Sequence, residues 1–470
     1  MAEQINNQQE EVKIPKRILN TLLSSLSAGV VPRLGAPYIA IGRHEEIATL
    51  LESLSDVGEG GGTVRFLIGR YGSGKSFLIQ LIRGYALDRG FLCADADLSP
   101  ERRLAGGNGG GLATYRELMK NLASKASPDG GALPLLLSRH YSSLCSSLAA
   151  EGIMPEDEAF PLEIKKKIYT VLETFEGNVG GFDFSRVLAE YYSACIFDNA
   201  DKKSACLRWL RGEFSTKTEA KNALGFSVSS IISDDNWYDY IKLFAVFAAR
   251  LGYNGLIVYI DECVNLYKIS NRISRESNYE KILSIFNDTL QGRAENLGII
   301  FGGTPQFLED TRRGLFSYEA LRSRLSDGRF AEFGYTNISA PVIRLRRLSD
   351  NEFLALIARL TKLEAQRANA EELVNGEEMI EFLKVTLARA GASELATPRE
   401  IIRDYLTLLS IMRNDSSASF SALIKNEKAS SDESTGNEEA KATSEIQSST
   451  QQKPTSTPQK RIISLDDIDI

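Results

Sequence analysis

The sequence has few of the side chains that bind transition metals or form disulfides. Its 470 residues include five cysteines and two histidines, and no two cysteines form a Cys-x-x-Cys pair. Structural zinc sites and disulfide frameworks need such residues in greater number and at regular spacing. We therefore expect neither kind of site, and we interpret the five cysteines as small apolar side chains of the interior.

Long apolar runs and an excess of positive charge are also missing. No segment approaches the roughly 18 to 20 consecutive apolar residues that span a bilayer, and the N-terminal MAEQINNQQEE is polar and acidic. The net charge of −7 argues against a protein that coats nucleic acid by bulk electrostatics. We therefore expect a cytoplasmic protein without a membrane partner. Two short basic clusters are either solvated faces or local nucleic acid contacts, namely Lys165, Lys166 and Lys167, and Arg344, Arg346 and Arg347.

Composition separates a globular middle from two polar ends. Residues 1–12 are rich in Gln, Glu and Asn, and from about residue 414 to residue 460 the chain is mostly Ser, Thr, Glu, Lys and Gln. Such segments cannot bury enough apolar surface to fold, so both are expected to be disordered. The terminal decapeptide 461–470 (RIISLDDIDI) mixes apolar and acidic residues. It is either a peptide that docks on a partner or a sticky end without function.

Between these ends, short apolar segments alternate with helical patterns. Strands are predicted at 63–68, 91–97, 256–260 and 298–301, and a helix is predicted at 77–89. Residues from about 112 to 252 carry apolar side chains at helical spacing and are interpreted as a helical insertion. The alternation predicts an α/β fold, with a mainly parallel sheet covered by helices on both faces.

The pattern Gly69-x4-Gly74-Lys75-Ser76 lies between a predicted strand and a predicted helix and matches a phosphate-binding loop. Glycines let backbone N–H groups approach phosphate oxygens, and the helix start adds partial positive charge. Lys75 is predicted to neutralise the β- and γ-phosphates of ATP, and the Ser76 hydroxyl is predicted to bind Mg²⁺. The predicted nucleotide contacts are Gly69, Arg70, Tyr71, Gly72, Ser73, Gly74, Lys75, Ser76 and Phe77.

A hydrophobic strand that ends in two acids, Asp261 and Glu262, has the form of a Walker B element. Asp261 is predicted to hold Mg²⁺ through water, and Glu262 is predicted to orient and polarise the attacking water. The pair favours hydrolysis over phosphorylation of a small molecule, because a kinase gains nothing from a second acid that activates water. Two acids that cap the next helix are the alternative.

Four further segments, in chain order, resemble motifs of AAA+ ATPases of the origin-recognition type. The segment 38–47 (YIAIGRHEEI), which contains Arg43, resembles the stretch that packs beside adenine. The segment 298–305 (GIIFGGTP) resembles the strand that carries sensor 1, with Thr304 where these relatives usually have Asn. The resemblance therefore implies that Arg43 lies at the nucleotide and that Thr304 senses its phosphates.

The other two segments resemble an arginine-finger helix and a sensor-2 motif. The first, 318–325 (YEALRSRL), offers Arg322 and Arg324, and the second, 396–403 (ATPREIIR), offers Arg399. A finger that reaches a neighbour's γ-phosphate would make the protein a homo-oligomer with shared active sites. Ordinary surface arginines are the alternative for all three residues.

Residues from about 13 to 413 resemble the BrxC/BrxD family of P-loop ATPases from bacterial BREX phage-defence systems, and BrxD in particular. The resemblance rests on IPKRIL, GRYGSGKS, DLSPE, LATYRELM, VYIDE, GGTP, EALRSRL and ATPREIIRDY. It implies an AAA+ core at 13–335 that contains the insertion, and a helical lid at 336–413, with a winged helix as one form of it. It also implies a DNA-stimulated, Mg²⁺-dependent ATPase that acts with DNA and a helicase-like partner. A replication- or transposition-type loader and a non-catalytic ATP-dependent switch are the alternatives.

Overall fold

A computed structural model of the chain describes residues 14–172, 180–327, 340–388, 397–415 and 417–425. The polar segment 1–12 and the decapeptide 461–470 lie outside the described residues. The chain forms two compact units. The sheet unit consists of the described residues of Glu45–Arg70 and Leu81–Leu345, and the helical unit consists of those of Met1–His44, Tyr71–Gln80 and Arg346–Ile470.

Strands and helices alternate along the chain in the order that the sequence predicted. The strands of the described residues are β1 (Gly62–Ile68), β2 (Leu92–Asp97), β3 (Leu256–Asp261), β4 (Leu297–Gly303) and β5 (Val342–Arg344). The helices are α1 (Lys16–Ser27), α2 (His44–Gly58), α3 (Lys75–Asp88), α4 (Gly110–Lys120), α5 (Leu133–Ala150), α6 (Phe160–Leu172), α7 (Gly181–Ile196), α8 (Ala200–Leu210), α9 (Lys217–Leu224), α10 (Trp237–Arg250), α11 (Val264–Tyr267), α12 (Arg272–Leu290), α13 (Pro305–Glu309), α14 (Glu319–Leu325), α15 (Asp350–Ala368), α16 (Gly376–Ala388) and α17 (Pro398–Asn414).

The sheet unit is built on a parallel sheet with strand order β2-β3-β4-β1-β5. β3 and β4 are buried along their whole length, as expected for the central strands of a sheet covered on both faces. The predicted α/β fold with a parallel sheet is confirmed, and β5 is an additional strand. Because all strands are parallel, β1, β3 and β4 end at the same edge, with β4 between the other two.

Helices surround the sheet within the same unit. The helices predicted between residues 112 and 252 are α4 to α10. Their buried side chains, which include Trp209 and Trp237, belong to the same hydrophobic core as the strands. The insertion is therefore an integral part of the sheet unit.

The helical unit has its own core, formed by α1, α15, α16 and α17. On α1, Leu19, Leu22, Leu23 and Leu26 are buried at the spacing of one helix face. Both α15 and α17 start with a capping box, in which the N-cap side chain and a glutamate in the first turn bond each other's backbone N–H groups. The helix starts are therefore fixed, and both lie in the unit that contains residues 71–76 of the phosphate loop.

No helix in the described part of the chain is long and apolar enough to cross a membrane.

Candidate nucleotide site

Two glycine carbonyls at the end of β4 connect the ends of three strands in the sheet unit. The Cys263 N–H donates to the Gly302 carbonyl at 3.0 Å, and the Gly69 N–H donates to the Gly303 carbonyl at 3.1 Å. A Cβ at position 303 would lie 2.5 Å from the Phe307 ring, so the close packing of this ring on the backbone requires glycine. The residue that begins the phosphate loop and the residue that follows the acid pair are therefore fixed on opposite sides of β4.

The predicted acid pair lies at the end of β3. Asp261 is its last residue and is 9% exposed. Glu262 has a left-handed backbone (φ 56°), and its N–H donates to Asp261 Oδ1 at 2.8 Å. A non-glycine residue rarely adopts this conformation, which turns the chain sharply where β3 ends. The pair is thus a fixed feature of the sheet edge.

A third carboxylate, which the sequence analysis did not select, lies beside this pair. Asp97 is the register partner of Asp261 in the pairing of β2 with β3. Paired residues of neighbouring strands point to the same face of a sheet. Partial burial, followed by the negative charges of Asp261, Asp95 and Glu262, raises the pKa of Asp97. The signal in the sequence was that the strand predicted at 91–97 ends in aspartate and that the strand predicted at 256–260 is directly followed by one.

The second half of α3 lies on the face that carries these carboxylates. Arg83 of α3 donates through Nε to Asp95 Oδ1 at 3.0 Å. Asp95 is two residues before Asp97 in β2, so both side chains point to the same face. The part of α3 that belongs to the sheet unit therefore covers the face to which Asp97 and Asp261 point.

The phosphate loop itself, in the helical unit, has the features of an anion site. Gly72 and Gly74 have left-handed backbones (φ +74° and +94°), which favour glycine. The Gly74 carbonyl accepts the N–H of Leu78 at 2.9 Å, so the loop leads directly into α3. Lys75 is 9% exposed, and its Nζ lies 5.5 Å from the centroid of the exposed Tyr71 ring. A helix start and a lysine therefore supply positive charge at one place.

Within the helical unit, the phosphate loop contacts the first residues of α17. A Cβ at Gly72 would lie 2.7 Å from Thr397 Cβ, so loop and helix start are in tight contact. Thr397 is the N-cap of α17, where it bonds Glu400 in the capping box. Arg399, the sensor-2 candidate, is exposed on the first turn of the same helix. Its assignment as a nucleotide contact stays a prediction.

Arg43 contacts the phosphate loop from the N-terminal segment. Its Nη2 donates to the Ser73 carbonyl at 3.0 Å, and its Nη1 donates to the Arg346 carbonyl at 2.8 Å. The side chain is 6% exposed. These contacts are to main-chain oxygens of the protein, whereas the resemblance implied a place beside adenine.

The sensor-1 candidate and one of the two arginine-finger candidates make local contacts within the sheet unit. Thr304 directly follows β4 and caps α13, since its Oγ1 accepts the Phe307 N–H at 3.3 Å. Arg322 and Arg324 are exposed on α14, and Arg324 Nη1 donates to the Ala320 carbonyl at 2.7 Å. Their catalytic roles stay predictions.

The arginine cluster at 344–347 is neutralised by nearby carboxylates. Each of its three arginines forms an ion pair, namely Arg344 with Glu309 and Asp327, Arg346 with Glu352, and Arg347 with Asp350. In the lysine cluster, Lys166 pairs with Glu163 and Lys167 with Glu151. These pairs favour solvated faces over nucleic acid contacts.

The donor atoms at the predicted metal site suit Mg²⁺. In proteins Mg²⁺ takes one or two oxygen ligands, keeps several waters and binds substrate phosphates. The two ligands predicted from the sequence are oxygen donors of this kind, the hydroxyl of Ser76 and the carboxylate of Asp261. Within the described ranges, no group of three or more His, Cys, Asp or Glu residues is arranged to hold a metal ion.

The sequence has no significant match among curated proteins. A family model described as "BREX system ATP-binding protein BrxC/D" matches residues 14–428. The match spans the phosphate loop, the acid pair and the helices from α1 to α17, and it confirms the resemblance drawn from the sequence. The chain therefore belongs to the BrxC/BrxD family of BREX system ATP-binding proteins.

Proposed function

We propose that this protein hydrolyses ATP in a Mg²⁺-dependent reaction as part of a BREX phage-defence system. Membership of the family is the basis for ATP binding and for a place in the BREX system. The observation that supports hydrolysis is the edge of the parallel sheet, where the carbonyls of Gly302 and Gly303 hold the end of the acid-bearing strand and the start of the phosphate loop. Parallel α/β sheets bind ligands at the carboxyl ends of their strands.

Each residue of the proposed site has a distinct electrostatic task. Backbone N–H groups of the loop and Lys75 bind the β- and γ-phosphates, where negative charge accumulates. Ser76 and Asp261 would hold Mg²⁺, which supplies further neutralisation of the phosphates. Glu262 accepts a hydrogen bond from the attacking water and polarises it.

The remaining roles concern control of this reaction. Thr304 would sense the γ-phosphate and Arg399 would contact the nucleotide from the lid. Arg322 or Arg324 would act as a finger across a homo-oligomer interface. We further propose a cytoplasmic protein that acts on DNA with a helicase-like partner, to which the decapeptide 461–470 docks. A loader of the replication or transposition type would use the same chemistry, whereas a signalling switch would bind ATP without turnover.

The test compares ATP binding and turnover in the wild type, K75A and E262Q, with and without Mg²⁺ and duplex DNA. K75A is expected to lose binding, and E262Q is expected to bind ATP without turning it over. K120A is the matched control, because Lys120 is an exposed lysine of the sheet unit. Unchanged ATP binding by K75A would contradict the assignment of the loop. Tight binding without turnover by the wild type would favour the switch.

A further inference from the structure

The guanidinium of Arg43 determines the orientation of one peptide group in the phosphate loop. Its Nη2 holds the Ser73 carbonyl at 3.0 Å. In a planar trans peptide the carbonyl and the following N–H point in opposite directions. The N–H of Gly74 therefore points away from Arg43. Gly74 has a left-handed backbone (φ +94°) and no side chain, so its own conformational preference does little to fix this peptide.

The second donor of Arg43 attaches it to the start of the lid. Nη1 donates to the Arg346 carbonyl at 2.8 Å, and Arg346 Nη2 donates in return to the Gly42 carbonyl at 3.2 Å. Arg346 also pairs with Glu352, which accepts the Ser349 N–H at 2.7 Å in the capping box of α15. Arg43 is thus held by a network that extends to a helix start.

Gly42 allows this close approach. It has a left-handed backbone (φ +72°), and a Cβ at this position would collide with the carboxylate of Glu352. Partial burial of the carboxyl raises its pKa, but the hydrogen bonds from Arg346 and from Ser349 outweigh burial and lower the pKa of Glu352 to about 2. The carboxylate therefore stays ionised at neutral pH and continues to hold Arg346.

We infer that Arg43 is a positioning residue, which holds the phosphate loop in its anion-binding conformation and does not recognise adenine. Both terminal nitrogens donate to main-chain carbonyls, and a side chain that is 6% exposed offers little surface for a base. Removing a buried hydrogen-bonded cation frees two carbonyls and one flexible glycine peptide. The inference depends on the proposed nucleotide site.

The test separates recognition of phosphate from recognition of the base. Binding of ATP, GTP and inorganic tripolyphosphate, each with Mg²⁺, is measured by calorimetry for the wild type, R43Q and R43K. For R43Q we expect affinity to fall about tenfold or more, by the same factor for ATP and tripolyphosphate, with the ATP-to-GTP ratio unchanged. The affinity of R43K is expected to lie between those of R43Q and the wild type, because a compact ammonium cannot span both carbonyls.

R359Q is the matched control. Arg359 Nε donates to the Tyr38 carbonyl at 3.0 Å, so it also ties the N-terminal segment to a lid helix, but its bond is not to the phosphate loop. R359Q is expected to bind all three ligands like the wild type. An equal loss in R359Q would mean that Arg43 acts only by stabilising the helical unit. If R43Q does not fold, as judged by circular dichroism, R43K decides by the same comparison.

Two further outcomes separate this inference from the proposed function. Loss of ATP binding with unchanged tripolyphosphate binding in the Arg43 variants would make Arg43 a base contact and overturn the inference. Unchanged affinity of the Arg43 variants for every ligand would also overturn the inference. A wild-type protein that binds neither ATP nor tripolyphosphate would refute the nucleotide site itself.

Discussion

Lowering the pH from 7 to 5 is expected to destabilise the sheet unit through one histidine. His140 lies on α5, where its Nδ1 forms a 2.6 Å hydrogen bond with the Tyr192 hydroxyl. Its ring also packs edge-on against Phe247, with centroids 6.3 Å apart. Burial lowers the pKa of His140 from 6.5 to about 4. The ring is therefore neutral in the folded protein at pH 5, whereas it would be protonated in the unfolded chain.

The sign and size of the effect follow from proton linkage. Between pH 6.5 and about 4 the unfolded chain binds more protons than the folded one, so the free energy of unfolding falls as pH falls through this window. The two pKa values correspond to about 2 kcal/mol between pH 7 and pH 5. Because solvent screens the partly exposed ring, we expect about 1 to 1.5 kcal/mol.

The assay uses the two tryptophans of the chain as reporters. Trp209 and Trp237 are both buried in the core of the sheet unit, and His140 belongs to the same unit. Urea unfolding followed by tryptophan fluorescence at pH 7 and pH 5 would compare the wild type with H140Q and H44Q. H140Q should lose the pH dependence, and H44Q should keep it. Equal losses in the wild type and H140Q would refute the reasoning.

Four substitutions test the proposed site further. E262Q should lower ATP turnover by about 10² to 10⁴-fold while retaining ATP, as measured by steady-state kinetics and ligand retention; unchanged turnover would place the general base elsewhere. Alanine at Arg322 or Arg324 should reduce the rate about 10³-fold if either is a finger, whereas full activity of a monomer, checked by light scattering, would exclude that role. G72A should lower ATP affinity, because a Cβ there collides with the start of α17; G60A, which has a left-handed backbone (φ +99°) and open space, is the control for backbone strain alone.

The sequence predicted the features that depend on local pattern. Four strands were located to within about two residues because apolar runs between turn residues are a local signal. The phosphate loop and the acid pair were selected because each directly follows a predicted strand. β5 was missed because it has three residues, one of them exposed, and forms only by pairing with β1.

Features that depend on tertiary structure could not be predicted. The position of Asp97 beside Asp261 follows from the register of two strands that lie far apart in sequence. The resemblance implied that Arg43 lies at the nucleotide, whereas its observed partners are 30 and 303 residues away in the sequence. Only the fold shows that both are main-chain oxygens.

Residues that contact the phosphate loop or anchor Arg43 lie far along the chain from it, and this limits how far the protein can be shortened. A chain ending before residue 346 would keep every residue of the loop and of the acid pair, and would still match both motifs. It would lack the Arg346 carbonyl that anchors Arg43 and the threonine that packs against Gly72. Such a truncated chain would carry the nucleotide-binding signature without the parts that shape it, so attempts to engineer a minimal nucleotide-binding version must retain the residues of the helical unit that follow residue 345.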